Sequence, residues 1–335
     1  MVIVKLIFRF ISALFEAFFF RNNSYSKIYG QNSWAVVTGA SQGIGWEFCR
    51  QLARRGINCV LISRTASTLQ KRCDELMKEF PGIKAEYLTA DFMTDTSVEM
   101  YEKIAKDLED KDVSILINNV GAFATKILRS SKQALRDAII CNSLPQVMMT
   151  KVLTDRMLNR EKKSAIFNIS SLGAHVPNGA QPPYHSSKTF GGMTSKAESL
   201  NFGDKIDYSS CFPMYVATGM VPDRKVDLVT CTGEECTARF INLHGRTIRG
   251  WSFGHYKHQI FSMSLEIMKN VIGWKNTLKI GYVWLRLIQR IQYKKKVDKE
   301  CTIKTAEEYN VFLNTFYWVR EKTPKFSPRL LLARI

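Results

Sequence analysis

An α/β fold with a doubly wound parallel sheet is predicted by three observations. Residues 33–64 read as a single strand–helix–strand unit: an apolar run at 34–38, a helix-period segment carrying Ile44, Phe48 and Leu52, and a second apolar run at 59–62. Three glycines, Gly39, Gly43 and Gly45, occupy the turn from the first run into the helix. Strand-type and helix-type segments then keep alternating down the chain, and such alternation implies parallel strands joined by right-handed crossovers.

Each glycine answers a physical demand. Gly39 permits a tight turn, Gly43 lets backbone N–H groups approach a pyrophosphate with no Cβ in the way, and Gly45 lets the helix sit close on the strand. An anion would then rest at the positive helix N-terminus, with Ser41 and Ile44 in the same cradle. The expectation is a Rossmann-type dinucleotide site, with the spacing T-G-x-x-x-G-x-G from Thr38 to Gly45. The second strand ends in Ser63-Arg64, where an acidic residue would hold ribose hydroxyls and an arginine accommodates a 2′-phosphate. NADP(H) is therefore the expected cofactor, a solvated strand-end arginine being the alternative.

With 335 residues the chain can hold one α/β domain of about 250 residues plus appendages, or two small domains. Its net charge of +18 is concentrated late, since residues 257–335 carry 16 Lys and Arg against 6 Asp and Glu. Such an imbalance suits an anionic partner: a nucleic acid, a phospholipid surface or an acyl-CoA. The eight cysteines occur singly and the five histidines are scattered, so neither a disulfide framework nor a metal site is expected.

In chain order, residues 2–20 are nearly all apolar and would span about 28 Å as a helix. Lys5, Arg9, Ser12 and Glu16 fall on one face of it, which makes the segment amphipathic. It fits an interfacial or membrane helix, a mitochondrial presequence, or a buried core helix. A polar link, 21–32, leads into the strand–helix–strand unit.

Further on, a helix over 66–79 is stopped by Pro81-Gly82, and a strand over 84–89 precedes Asp91, a candidate for adenine contact. A helix over 94–109 and a strand over 113–117 lead into Asn118-Asn119-Val120-Gly121, a loop placed to line the cofactor channel. A long helix over 131–158 carries Asn142 in its middle and Pro145, which should kink it unless the freed carbonyls find partners. A strand over 165–169 delivers Ser170-Ser171. Tyr184 and Lys188 follow, spaced i,i+4 on one helix face, so that an ammonium sits beside a phenol and stabilises the phenolate. A strand over 205–212 leads to Tyr215-Val216-Ala217-Thr218.

These motifs, in this order and spacing, resemble the short-chain dehydrogenase/reductase family over roughly residues 33–255. The stretches S-W-A-V-V-T-G-A, L-I-S-R-T, N-N-V-G and Y-V-A-T are most similar to its membrane-bound branch of very-long-chain 3-oxoacyl-CoA reductases and 17β-hydroxysteroid dehydrogenases. The resemblance implies that Tyr184 donates a proton to the substrate carbonyl as hydride arrives from the nicotinamide. Ser171, preferred over Ser170 on the family's spacing, would hydrogen-bond the same oxygen. It further implies that Lys188 grips the nicotinamide ribose, that Asn142 holds a water of a proton relay, and that Thr218 meets the carboxamide or pyrophosphate. His175 reads as a loop residue.

Residues 172–183 and 219–232 are the expected substrate-facing segments. Thr232-x-x-Glu235 is a capping box opening a helix to about 243, ended by Gly245, before a last strand over 247–254. From 258 onward the pattern is of basic amphipathic helices with Trp and Tyr at their edges, followed by Lys294-Lys295-Lys296, and it suits an anionic membrane better than a nucleic acid. The expected organisation is thus 1–32, 33–257 and 258–335. The expected function is a membrane-associated, NADPH-dependent reductase of a lipid carbonyl, a 3-oxoacyl-CoA or a keto-steroid, at the endoplasmic reticulum as the resemblance implies. The alternative is an accessory NADP(H)-binding subunit of a complex in the mitochondrial inner membrane.

Overall fold

A computed structural model describes residue 11 and residues 25–123, 130–176, 181–202, 205–219, 225–243, 251–277 and 279–280. The helix expected over 2–20, the helix stop at Gly245 and the basic segment beyond 280 lie outside the described residues. Among those described, no helix is long and apolar enough to cross a membrane.

A short helix, α1 (Tyr25–Tyr29), precedes β1 (Trp34–Thr38), α2 (Gly43–Ala53), β2 (Asn58–Ser63), α3 (Ala66–Glu79) and β3 (Ala85–Thr89). Then come α4 (Val98–Asp107), β4 (Val113–Asn118), α5 (Lys132–Leu158), β5 (Ser164–Ile169), α6 (Pro182–Asn201) and β6 (Ile206–Cys211). The described chain ends with β7 (Tyr215–Ala217), β8 (Thr230–Thr232), α7 (Gly233–Leu243), β9 (Trp251–Ser252) and α8 (Tyr256–Ile272).

Seven of the described strands form one parallel sheet in the order β3-β2-β1-β4-β5-β6-β9. Its central strands read as continuous apolar runs because both faces are covered. Ala35 and Val37 of β1, with Leu61, Ile115 and Phe167, face Phe48 and Leu52 of α2 and Phe240 of α7. Val36, Val60, Leu116 and Ile166 turn the other way, toward Tyr101 of α4 and Met149 and Leu153 of α5. The chain reverses its direction of travel across the sheet between β1 and β4, so a crevice opens beyond the carboxyl ends of those two strands.

Several expectations are corrected. The helix expected over 94–109 is shorter. Asp95 accepts from the N–H and hydroxyl of Ser97, and Ser97 caps Met100 N–H at 3.3 Å, so 94–97 form the turn before α4. The link over 21–32 is not merely polar. Tyr25 and Tyr29 of α1 are buried, donating to Ile241 O at 2.9 Å and to the Asp207 carboxylate at 2.9 Å. Arg160 fixes the same region, holding Asp112 through Nε and Nη2 (2.6 and 2.8 Å) and donating to the Tyr29 carbonyl.

Helix α5 starts after the Ser131 cap and continues unbroken through Pro145. The segment 219–232, expected to face the substrate, contains β8, which pairs in parallel with β7. Asp227 Oδ1, accepting from Val229 and Thr230 N–H, supports the turn into it. The capping box forms as expected, Thr232 N donating to Glu235 at 2.9 Å and Glu235 N to Thr232 Oγ1 at 3.0 Å. Helix α8 begins at Tyr256, so the division expected at 257/258 lies within its first turn. Finally, Cys231, Cys236 and His258, the last 22 residues beyond Cys236, are buried with one donor atom of each within 4.8 Å of the others. The absence of ligand spacing in the sequence therefore does not carry over to the fold.

Candidate active site

The crevice at the strand ends is lined by Gly39, Ser41, Gly43 and Ile44 on one wall, by Arg64 and Asp91 at one end, and by Val120, Gly121 and Thr218 opposite. Gly39 and Gly43 have φ of +67° and +60°, in the left-handed region that favours glycine. A Cβ at Gly43 would come within 3.3 Å of Thr218 Cβ and narrow the crevice, so the residues present fit a dinucleotide phosphate passing between them. Gly45 does not line the crevice. A Cβ there would lie 2.4 Å from Gly39 O and 2.5 Å from Asn119 Nδ2, so this glycine permits the helix to meet the loop.

Thr38 and Asn119 lock the two loops together. Thr38 Oγ1 accepts from the N–H groups of Asn119 and Val120 at 3.0 and 3.1 Å, while Asn119 Nδ2 donates to Thr38 O and Gly39 O at 2.9 and 3.2 Å. Asn118, the residue expected to line the channel, does otherwise. As the last residue of β4 it points away from Asn119 by strand alternation, and it is buried in a polar network. There its Nδ2 donates to Asn168 Oδ1 at 2.8 Å and Thr150 Oγ1 at 3.2 Å. Asn168 donates in turn to Ser195 Oγ at 2.7 Å, and Gln146 Nε2 to Gly191 O at 3.2 Å, which ties β4, β5 and α5 to α6.

At the far end of the crevice Ser41 and Ser63 hydroxyls are 3.2 Å apart, and Arg64 Nη1 approaches Met93 Sδ at 3.8 Å. Arg72 donates to Ser41 O at 3.0 Å while its guanidinium lies 4.6 Å over the Trp46 ring. Asp91 spends one oxygen on Met93 N–H at 3.0 Å, and it is the one carboxylate among the described lining residues.

Helix α6 carries the reactive groups. Lys188 is buried with Nζ donating to Ile169 O at 2.8 Å, and burial lowers its pKa to about 8. Tyr184, one turn earlier and partly exposed, lies beside Phe123 with ring centroids 5.1 Å apart. Burial of its hydroxyl raises its pKa, opposed by the Ser171 hydroxyl bonded to it. Ser170, the rival serine, is committed elsewhere: its hydroxyl donates to Lys188 O at 2.7 Å inside the core. Asn142 Oδ1 accepts from Ala122 N–H at 2.8 Å, and its Nδ2 donates to Ala122 O at 3.0 Å and Ser187 Oγ at 2.9 Å. Its amide thus clamps the loop after β4 as well as facing the site. Gly121 joins crevice to chemistry, since a Cβ there would meet Asn142 Oδ1 at 2.8 Å and Lys188 Nζ at 3.2 Å. His175 packs its ring 4.4 Å from Phe212 and 5.9 Å from Phe253.

A model of the family described as short chain dehydrogenase matches residues 33–228, over half of the chain. The chain belongs to the short-chain dehydrogenase family. It is 31% identical over 254 residues to a protein of Coccidioides immitis (strain RS) named very-long-chain 3-oxoacyl-CoA reductase, covering 73% of this chain and 71% of the relative. It is 35% identical over 191 residues to a protein of that name from Emericella nidulans, covering 56% and 55% of the two chains. So the chain spans little more than half the length of some of these relatives.

Among solved structures, it resembles a short-chain dehydrogenase from Sphingobium yanoikuyae in complex with NADPH (TM-score 0.55, 24% identity, 61% of this chain and 81% of the other). An alcohol dehydrogenase from Thermococcus sibiricus complexed with 5-hydroxy-NADP is also similar (TM-score 0.56, 22% identity, 63% and 89%). Both likenesses bear on the fold.

In this short-chain dehydrogenase the loop expected to line the channel does so through Asn119, Val120 and Gly121, while the separate roles of Thr38, Asn119 and Gly121 were not assigned from the sequence. Period-2 alternation from β4 would have separated Asn118 from Asn119. Thr38 and Gly121 show their roles only once the two loops are brought together.

Proposed function

We propose that this short-chain dehydrogenase reduces the 3-oxo group of a long-chain acyl-CoA with NADPH, giving the 3-hydroxyacyl-CoA. The observation that carries this reading is that Gly121, at the inner end of a crevice whose outer end presents Arg64, stands directly against the buried Lys188 Nζ and Asn142 Oδ1, with Tyr184 one helical turn before that lysine. The bound nicotinamide supplies a hydride to the carbonyl carbon. Tyr184 gives its hydroxyl proton to the carbonyl oxygen, and Ser171 orients that oxygen. Lys188, cationic below its lowered pKa, favours the phenolate that this transfer leaves. The relatives named as 3-oxoacyl-CoA reductases support the substrate class. The test is to purify the full chain in detergent and follow NADPH consumption with a long-chain 3-oxoacyl-CoA, identifying the product by mass. Absence of turnover with NADPH tightly held would instead favour an accessory subunit.

NADP(H) preference rests on Arg64 beside Ser41 and Ser63. A hydrogen bond to a charged group contributes about 1.5–3 kcal/mol, so Arg64→Glu is expected to raise KM for NADPH about 10- to 100-fold and to narrow the gap to NADH. Steady-state kinetics with both nucleotides checks it, and an unchanged ratio would remove Arg64 from the role.

The proposed workplace is an anionic membrane surface such as that of the endoplasmic reticulum. Ile260, Ile267 and Val271 lie along one face of α8, 47%, 44% and 76% exposed, and Lys269 lies 5.2 Å over the Trp274 ring. Basic residues near an anionic surface contribute about 1 kcal/mol each, so sedimentation with phosphatidylserine vesicles is expected to exceed that with phosphatidylcholine at least about tenfold. Equal partitioning into both would refute the electrostatic part.

A further inference from the structure

A cluster of soft donor side chains lies away from the crevice, where β6, β8, α7 and α8 converge. Cys231 of β8, Cys236 of α7 and His258 of α8 are all buried, with one donor atom of each within 4.8 Å of the others. The Cys236 thiol has Cys231 as a neighbour on one side and Cys211, the last residue of β6, on the other. Gly254, with φ of +73°, keeps the space between them open: a Cβ there would stand 2.8 Å from both Cys211 Sγ and Cys236 Sγ.

The spacing suits a tetrahedral ion. Ligand bonds of about 2.3 Å to sulfur and about 2.0 Å to nitrogen place adjacent sulfur and nitrogen donors about 3.5 Å apart. The Cys231 Sγ to His258 Nε2 distance is 3.6 Å. His258 is also oriented as a ligand would be. Nδ1 lies 3.2 Å from Phe253 O and Nε2 lies 3.1 Å from Tyr215 O. A neutral imidazole has a single N–H and can serve only one of these carbonyls. Donation from Nδ1 to Phe253 O leaves a lone pair on Nε2, which stands between Cys231 Sγ and Tyr215 O, and a backbone carbonyl on the other ring nitrogen is the arrangement that fixes a metal-bound histidine. Buried thiols usually act as small hydrophobes. Here, however, two of them and an imidazole from three elements converge, and a third thiol, Cys211, stands beside Cys236 at Gly254.

We propose that Cys231, Cys236 and His258, with Cys211 as fourth ligand, bind one zinc ion that pins β8 and α8 to the end of β6. Three thiolates and one imidazole in tetrahedral array are a donor set that zinc favours. Binding forms three Zn–S bonds and one Zn–N bond, and the three thiol protons pass to solvent. Both ends of the segment joining β6 to β8 are then fastened at one point, and this segment runs beside the crevice through Thr218.

The test is elemental analysis of the full chain purified without added metal or chelator. About one zinc per chain is expected, falling to less than about a tenth in Cys231→Ser and in His258→Ala and kept in Cys73→Ser. Should the two cluster variants fail to fold, cobalt exchange into the wild type gives an independent reading. A tetrahedral thiolate site shows intense sulfur-to-cobalt charge transfer and strong visible ligand-field absorption. Wild-type protein that takes up no metal and yields all eight thiols to alkylation on unfolding would overturn the proposal. So would a disulfide within the cluster, or zinc retained in full by both cluster variants.

Discussion

Tyr184→Phe is expected to lower kcat for carbonyl reduction by about 10³-fold while leaving NADPH affinity within about twofold, because positioned acid–base catalysis contributes about 10²–10⁴. Removing one oxygen leaves the ring in place beside Phe123, so the fold and the crevice are undisturbed. Without that oxygen, the substrate carbonyl has no acid within the Ser171–Tyr184 pair. NADPH fluorescence titration separates this from a binding defect: lost turnover with lost binding would mean a structural role for the hydroxyl.

The pH dependence has a definite sign. Reduction needs the Tyr184 proton and the Lys188 charge together. Burial raises the tyrosine pKa and lowers that of the lysine to about 8, so the lysine is the first to be lost as pH rises. Wild-type kcat is expected to fall as pH climbs through about 8, and the residual rate of Tyr184→Phe to lack that limb. A flat wild-type profile across that range would remove Lys188 from the proton chemistry.

The second large effect concerns a residue that touches no substrate. Gly45→Ala is expected to weaken NADPH binding by at least about 100-fold and to cost about 1–3 kcal/mol of stability, as overpacking in a filled site does. The new Cβ would meet Gly39 O at 2.4 Å and Asn119 Nδ2 at 2.5 Å, and backbone cannot step aside as a flexible side chain can. Either α2 lifts from the loop or Asn119 releases Thr38 O and Gly39 O, and both displace the phosphate cradle. Thermal melts together with nucleotide titration check it. Gly82→Ala is the contrast. Its Cβ would meet nothing within 4 Å, but at φ of +99° it is strained, so stability is expected to fall with binding unchanged. Normal nucleotide binding by Gly45→Ala would show that the close approach is dispensable.

The alternation of strands and helices was legible because each central strand is buried on both faces and each helix carries its own period. The glycine turn, the Thr232–Glu235 box and the Tyr184–Lys188 spacing were legible for a similar reason: all are local. What escaped reading depends on elements meeting. Asn118 and Asn119 look alike in sequence, and strand alternation sends one into the core and the other onto the glycine loop. Strand β8 is only three residues long and exists because β7 lies beside it, so no period could announce it. The gathering of Cys231, Cys236 and His258 follows from topology, since the residues span β8 to α8. Conversely, Ser171 over Ser170 was chosen by resemblance, and the structure adds a physical reason: Ser170 is bonded to the backbone of α6.

The buried amides behind the site have a consequence for how the protein can drift. Apolar surfaces can slide past one another at little cost, whereas a donor must find its acceptor at one position along the axis. Asn168 therefore indexes α6 against the sheet and Gln146 indexes it against α5, setting how far forward the tyrosine and lysine stand. A leucine at position 168 would fill the same volume yet erase the mark, leaving a well-packed protein whose reactive groups sit at the wrong height.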